Sequence, residues 1–215
     1  MAKLPLDQGL ALLDKRTTIV RNLIYLYILT SLTTIVAAAG EISGTVDMEA
    51  GTDLPSQMAV VAYLLFAITM IASIVFTAMW IYRAHDNLRA ADAEDLTFTP
   101  GWAVGWYFIP IANLFKPFQA MRELWKVSHR QSDSYTADSY PKLTMWWGLW
   151  VVGNIVSNIS MRLDLTGGPT GAATALVFDM ISAVLLIGAA WFLLQIVTAV
   201  NSAQRSMIGL EATFA

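Results

Sequence analysis

Where the charges are missing decides what this chain can fold into. Residues 54–82, 96–115, 143–161 and 180–204 contain no Asp, Glu, Lys or Arg. Each run approaches or exceeds the roughly 18–20 apolar residues that a helix needs to cross a bilayer core. A soluble domain carries about 25% charged residues. This 215-residue chain carries 13%, against 56% hydrophobic. Too little polar sequence remains for a separate soluble domain, so residues 1–215 read as a single integral membrane domain, an all-α membrane protein. Spanning helices are expected at 17–39, 57–83, 142–162 and 173–200. A net charge of −3 and the lack of basic clusters interleaved with aromatics argue against nucleic-acid binding. With no cysteine there is no disulfide, thiolate nucleophile, Cys-ligated zinc or iron–sulfur cluster.

The first apolar run resembles a secretory signal: Arg21, then Leu23–Val36, then Ala37-Ala38-Ala39-Gly40. The region before it is long and holds Asp7 and Asp14 beside Lys3, Lys15 and Arg16, so an uncleaved first span is expected.

Residues 99–129 are the most informative. Thr99 suits a helix cap and Pro100 a first helical position. Pro110 breaks the pattern, and Pro117 looks like a second start after the linker 111–116. Pro117–His129 is amphipathic, with Phe118, Met121, Leu124 and Trp125 on one side and Gln119, Arg122, Glu123 and Lys126 over much of the rest. A half helix of about ten residues reaches only about 15 Å, half the hydrocarbon thickness. The expectation is a Pro-broken, re-entrant or interfacial segment on the cytoplasmic side. The alternative is one Pro-kinked spanning helix over 100–127.

Basic residues separate the two. If the segment returns, Lys3, Lys15, Arg16, Arg21, Arg83, Arg89, Lys116, Arg122, Lys126, Arg130, Lys142 and Arg205 share one side and Arg162 alone takes the other, out of 13. If it crosses, the division is nearly even. The excess of Lys and Arg in cytoplasmic loops favours the first. Tyr135, Asp138 and both chain ends are then cytoplasmic. The acidic loop with Glu41, Asp47, Glu49 and Asp53, and the Gly/Pro-rich turn 166–171, face outward.

The stretch FTPGWAVGWYFIPIANLFKPFQAMRELW, residues 98–125, resembles the signature of the bacterial membrane family known as domain of unknown function 4328. Trp80–Arg89 is similar to that family's end of a transmembrane helix, and Ile196-Val197-Thr198 with Gln204 is a weaker echo. The resemblance implies a bacterial membrane protein with a four-helix layout, and brings no chemistry; the charge distribution points to the cytoplasmic (inner) membrane.

Among candidate sites, Asp179 stands out as the acidic residue deepest in a span. Such a carboxylate costs about 2.5–3.5 kcal/mol on insertion scales, so it is expected to face inward with a partner. Asn154, Asn158 and Arg162 of the third span lie at matching depth, giving an intramembrane polar cluster that is either an interhelical clamp or a proton or cation site. His85 and His129 fall at helix ends, where interfacial hydrogen bonding competes with a metal or haem role. Trp102, Trp106, Trp125, Trp146, Trp147 and Trp150 form either an aromatic belt or a groove for a quinone, pigment or lipid tail. Trp102, Trp106, Phe118, Arg122, Trp125 and Lys126 are the expected contacts to lipid or partner. No catalytic, metal or phosphate-binding motif is present, so no enzyme and no cofactor are expected. The reading is an accessory or scaffold subunit working through helix–helix and lipid contacts, as a homo-oligomer or in a larger complex. Its rival is a small transporter or channel component with its polar site at Asp179 and Asn158.

Overall fold

A computed structural model describes residues 4–94, 96–130 and 139–214. Among them every regular element is helical. The order is α1 (Leu6–Ser43), α2 (Leu54–Ala90), α3 (Pro100–Gly105), 3-10 turns at Trp106–Phe108 and Ala112–Leu114, α4 (Lys116–Arg130), α5 (Ser139–Thr166) and α6 (Gly168–Phe214). Ser134, Tyr135 and Asp138 lie outside the described residues.

Local chemistry sets the ends of the long helices. Asp53 caps α2, its carboxylate accepting from the Ser56 N–H at 3.2 Å. α1 closes with the Thr45 N–H donating to the Gly40 carbonyl at 2.9 Å, which needs the left-handed Gly44 (φ 74°). α2 closes the same way: Ala93 N–H donates to the Leu88 carbonyl at 3.0 Å, with Asp92 at φ 48°. Asp tolerates that conformation better than most residues with a Cβ. α5 and α6 are separated by Gly167 alone.

Three helices are long and apolar enough to cross a membrane: Leu6–Ser43, Leu54–Ala90 and Thr170–Ser206. α5, where a further span is expected, is not among them. The helices overrun the expected spans, because helix formation does not stop at the edge of an apolar run. α2 shows its outer character plainly: Leu54, Met58, Val61, Leu64, Ile68, Ile71 and Val75 recur at three- and four-residue spacing, and all are exposed. In water such a stripe would associate or aggregate. In lipid it is the solvated face.

The segment 100–130 folds back on itself. α3 and both 3-10 turns pack on α4, which a single kinked helix could not do. α3 is shorter than the expected half helix and ends at Gly105 rather than near Pro110. The pyrrolidine ring lacks an N–H and collides with the carbonyl four residues back, here Trp106, so the α-helix must give way before that carbonyl. A 3-10 turn with Ile109 N–H on the Trp106 carbonyl takes over.

The chain divides into two compact units. The first comprises residues 1–22, 74–145 and 192–215, the second 23–73 and 146–191. The second is tied by small residues and hydroxyls. The Ser160 hydroxyl donates to the Ala175 carbonyl at 2.8 Å and Ser182 to the Gly153 carbonyl at 3.0 Å. A Cβ on Gly153 would sit 2.8 Å from a Leu186 methyl. Thr30 and Thr69 share a bond of 2.9 Å between α1 and α2. Close approach through small residues is how helices associate where lipid competes equally for apolar surface.

Candidate functional site

The first unit concentrates unusual chemistry on the hairpin of α3 and α4 and its supports. Thr99 caps α3, its hydroxyl accepting from the Trp102 N–H at 3.3 Å, with Pro100 in the first turn. α4 buries Ala120, Met121, Leu124, Trp125, Val127, Ser128 and His129, while Arg122 and Lys126 stay exposed one turn apart. The expected inward face is thus present, with Phe118 half-buried at its margin.

Three charged side chains hold the hairpin closed. Both carboxylate oxygens of Glu123 are used: one accepts from the Thr97 N–H at 2.8 Å, the other from the Phe98 N–H at 3.0 Å. Arg89 donates to the Phe98 carbonyl at 3.2 Å. The Lys116 ammonium lies 5.9 Å from the Phe98 ring centre and 5.8 Å from that of Trp106, within cation–π range of both. Trp106 in turn packs on Trp102 at 4.8 Å.

Beneath the hairpin lies a buried amide cluster. Gln204 is fully buried; its amide nitrogen donates to the Ala84 carbonyl at 3.0 Å and to the Ser128 hydroxyl at 3.1 Å. Its carbonyl oxygen accepts from Asn87 at 3.3 Å. One glutamine therefore joins α2, α4 and α6. Asn87 also presses on α1: a Cβ on Gly9 would collide with its side-chain oxygen. Asn201 and Arg205 both donate to Asp14 at 3.0 Å. Arg83 pairs with Asp86 at 2.8 Å, and Trp80 donates to the Thr17 hydroxyl at 2.9 Å.

Both histidines are buried here, and each turns Nδ1 onto the carbonyl one turn back in its own helix. His85 meets Ile81 at 2.9 Å and His129 meets Trp125 at 2.8 Å. His129 also stacks on the Trp125 ring at 4.1 Å. Burial holds the His129 imidazole below its ordinary protonation range, and the bond to the Trp125 carbonyl offsets part of that. Among the described residues no three His, Asp or Glu side chains converge as a metal site.

The expected cluster around Asp179 needs correcting. The Asn154 amide donates to the Trp150 carbonyl at 2.7 Å, and the Asn158 amide to the Asn154 carbonyl at 2.7 Å. Both are satisfied by their own helix. Asp179 and Arg162 are exposed. Among the described residues no hydrogen bond or ion pair joins Asp179 to Asn158 or Arg162. The physical reason is local: an Asn in a helix reaches the carbonyl four residues back without waiting for a partner. The tryptophans fall into separate sets, Trp102, Trp106 and Trp125 in the first unit and Trp146, Trp147 and Trp150 in the second. In the latter, Trp147 stacks on Trp150 at 4.8 Å.

Reading for acids and histidines missed Gln204 and Asn87. Their one signal was position, since both lie in the segments that carry the family likeness. The family described as Domain of unknown function (DUF4328) matches residues 44–202. The chain belongs to this family. The DUF4328 region takes in the hairpin, Lys116, Glu123, Asn87 and Asn201, and stops two residues short of Gln204. No curated protein and no solved structure matches the chain.

Proposed function

We propose that this DUF4328 protein is a non-catalytic, multi-pass protein of the bacterial cytoplasmic membrane, acting as an accessory or scaffold subunit. In this reading α5 is the fourth span, the hairpin 97–130 lies at the cytoplasmic face without crossing, and both ends of the chain are cytoplasmic. The observation that carries it is the hairpin itself: α3 packs back on α4, so the chain reverses between them. A reversal there keeps the basic residues together, as the positive-inside rule favours. The bonds of Glu123, Lys116 and Gln204 are spent on holding helices together, which suits a protein that works through its faces. The transporter reading has less support, since Asn154 and Asn158 are occupied by their own helix.

The lack of cysteine makes the test direct. Lys126→Cys should resist a membrane-impermeant thiol reagent in intact spheroplasts and react once the membrane is opened, while Val46→Cys should react in both. Labelling of Lys126→Cys from outside would overturn the topology. For the subunit role, gentle extraction should give an assembly larger than one chain. A lone monomer that moves a proton or cation across vesicles would favour transport.

A further inference from the structure

The turn between α3 and α4 has an exposed apolar tip. Phe108 is 74% and Ile111 77% exposed, and Leu114 and Phe115 are about half so. Four large apolar side chains in eight residues, none of them charged, do not stay in water without a reason. Directly after them comes Lys116, half-buried between the Phe98 and Trp106 rings. Among the described residues no carboxylate pairs with it, although Glu123 stands on the same helix. Glu123 has both its oxygens committed to the Thr97 and Phe98 N–H groups. The ammonium thus lies within cation–π range of two ring faces and, among the described residues, without a carboxylate partner, beside an apolar shelf.

We propose that Lys116 and the tip together bind an anionic phospholipid of the cytoplasmic leaflet, the ammonium taking the headgroup phosphate while the acyl chains lie against Phe108, Ile111, Leu114 and Phe115. The complementarity is both electrostatic and apolar, and the two halves sit in the order that a lipid presents them. A soluble anion would use the ammonium but leave the tip unexplained. A lysine offers three donors and no acceptor, so it selects the phosphate rather than any donor on the headgroup. The exposed Arg122 and Lys126 lie further along α4 and add general attraction to an anionic surface. The inference rests on the interfacial placement of the hairpin.

The experiment separates the two ideas. Ile111→Cys, carrying an environment-sensitive fluorophore, is placed in vesicles of phosphatidylcholine with or without phosphatidylglycerol. Nitroxide-labelled acyl chains should quench it in both. A tip that remains in water in both overturns the interfacial placement and the lipid site together. In parallel, the detergent-purified chain is titrated with phosphatidylglycerol and retained lipid is read by native mass spectrometry. Lys116→Gln should bind phosphatidylglycerol about fivefold more weakly, and Lys116→Arg should hold it. Arg122→Gln, further along α4, should weaken it less than Lys116→Gln does. For the unaltered chain, high salt should erode the preference for phosphatidylglycerol over phosphatidylcholine. A quenched tip with retention indifferent to salt and to Lys116→Gln overturns the lipid site and leaves the interfacial placement standing.

Discussion

The two compact units handle side-chain amides in opposite ways. In the second, amides turn to their own helix, Asn154 to the Trp150 carbonyl and Asn158 to that of Asn154, as Thr30 and Thr34 also do. Contacts between helices there are made by small residues and single hydroxyls. In the first, the amide bonds run between segments far apart in sequence, with Gln204 reaching Asn87, Ala84 and Ser128. In hydrocarbon a polar group has no water to fall back on, and the carbonyl one turn back is always within reach. Longer-range amide bonds appear where the chain carries its charges. A polar residue in an apolar helix is therefore not yet evidence of a site; its bond has to leave the helix first.

The largest expected effect tests that directly. Gln204→Leu leaves buried partners on α2 and α4 unsatisfied and should cost about 3 kcal/mol, at about 1–3 kcal/mol for each stranded group. It should be visible as an early thermal transition in detergent. Asn158→Leu, which removes an amide bonded only to its own helix, should stay within about 0.5 kcal/mol. Equal losses would break the comparison.

Next come the close approaches. In Gly9→Ala the new methyl meets the Asn87 oxygen, which Gln204 helps to hold, and should cost about 1–3 kcal/mol before any helix-propensity gain. In Gly153→Ala it meets a methyl and the branch carbon of Leu186, at 2.8 and 2.9 Å, so rotating the methyl does not relieve it and the side chain has to shift. About 1 kcal/mol of improved propensity offsets part of that strain, leaving a net cost of about 0–2 kcal/mol. Unfolding of the two variants side by side measures which unit gives more readily.

Asp179→Asn should be smaller still, within about 0.5 kcal/mol, because no ion pair is lost. A large loss would restore the carboxylate to the structural role expected of it.

The smallest effect is on pH. The unfolded His129 titrates near 6.5 and the folded imidazole below it. Well above pH 6.5 both forms are neutral, so this residue adds no slope there. As pH falls below 6.5 the unfolded chain takes up the proton first, and stability drops until the folded value is passed. His129→Gln should therefore lose less than the parent between pH 7.5 and 5.5 in thermal scans.

What could be read in advance follows the range of the interaction. The Thr99 cap, the break before Pro117 and the amphipathic face of α4 depend on neighbours within a turn or two, and they are where expected. The early end of α3 was also local, but it needed the ring of Pro110 to be weighed against the Trp106 carbonyl. Asp179 was misplaced because depth was known and rotation about the helix axis was not. Three residues at one level can point three ways. Gln204 was out of reach because its partners lie 117, 120 and 76 residues away. An amide at that separation has no local pattern to announce it.

Those separations carry a consequence for how the protein is made. Asn87 and Ser128 are synthesised 117 and 76 residues before Gln204, so neither meets this partner until the last helix has left the ribosome. The part of the packing of α4 that depends on Gln204 can form only then. A chain stalled before residue 204 should have α4 open to protease, and one released a few residues later should be closed.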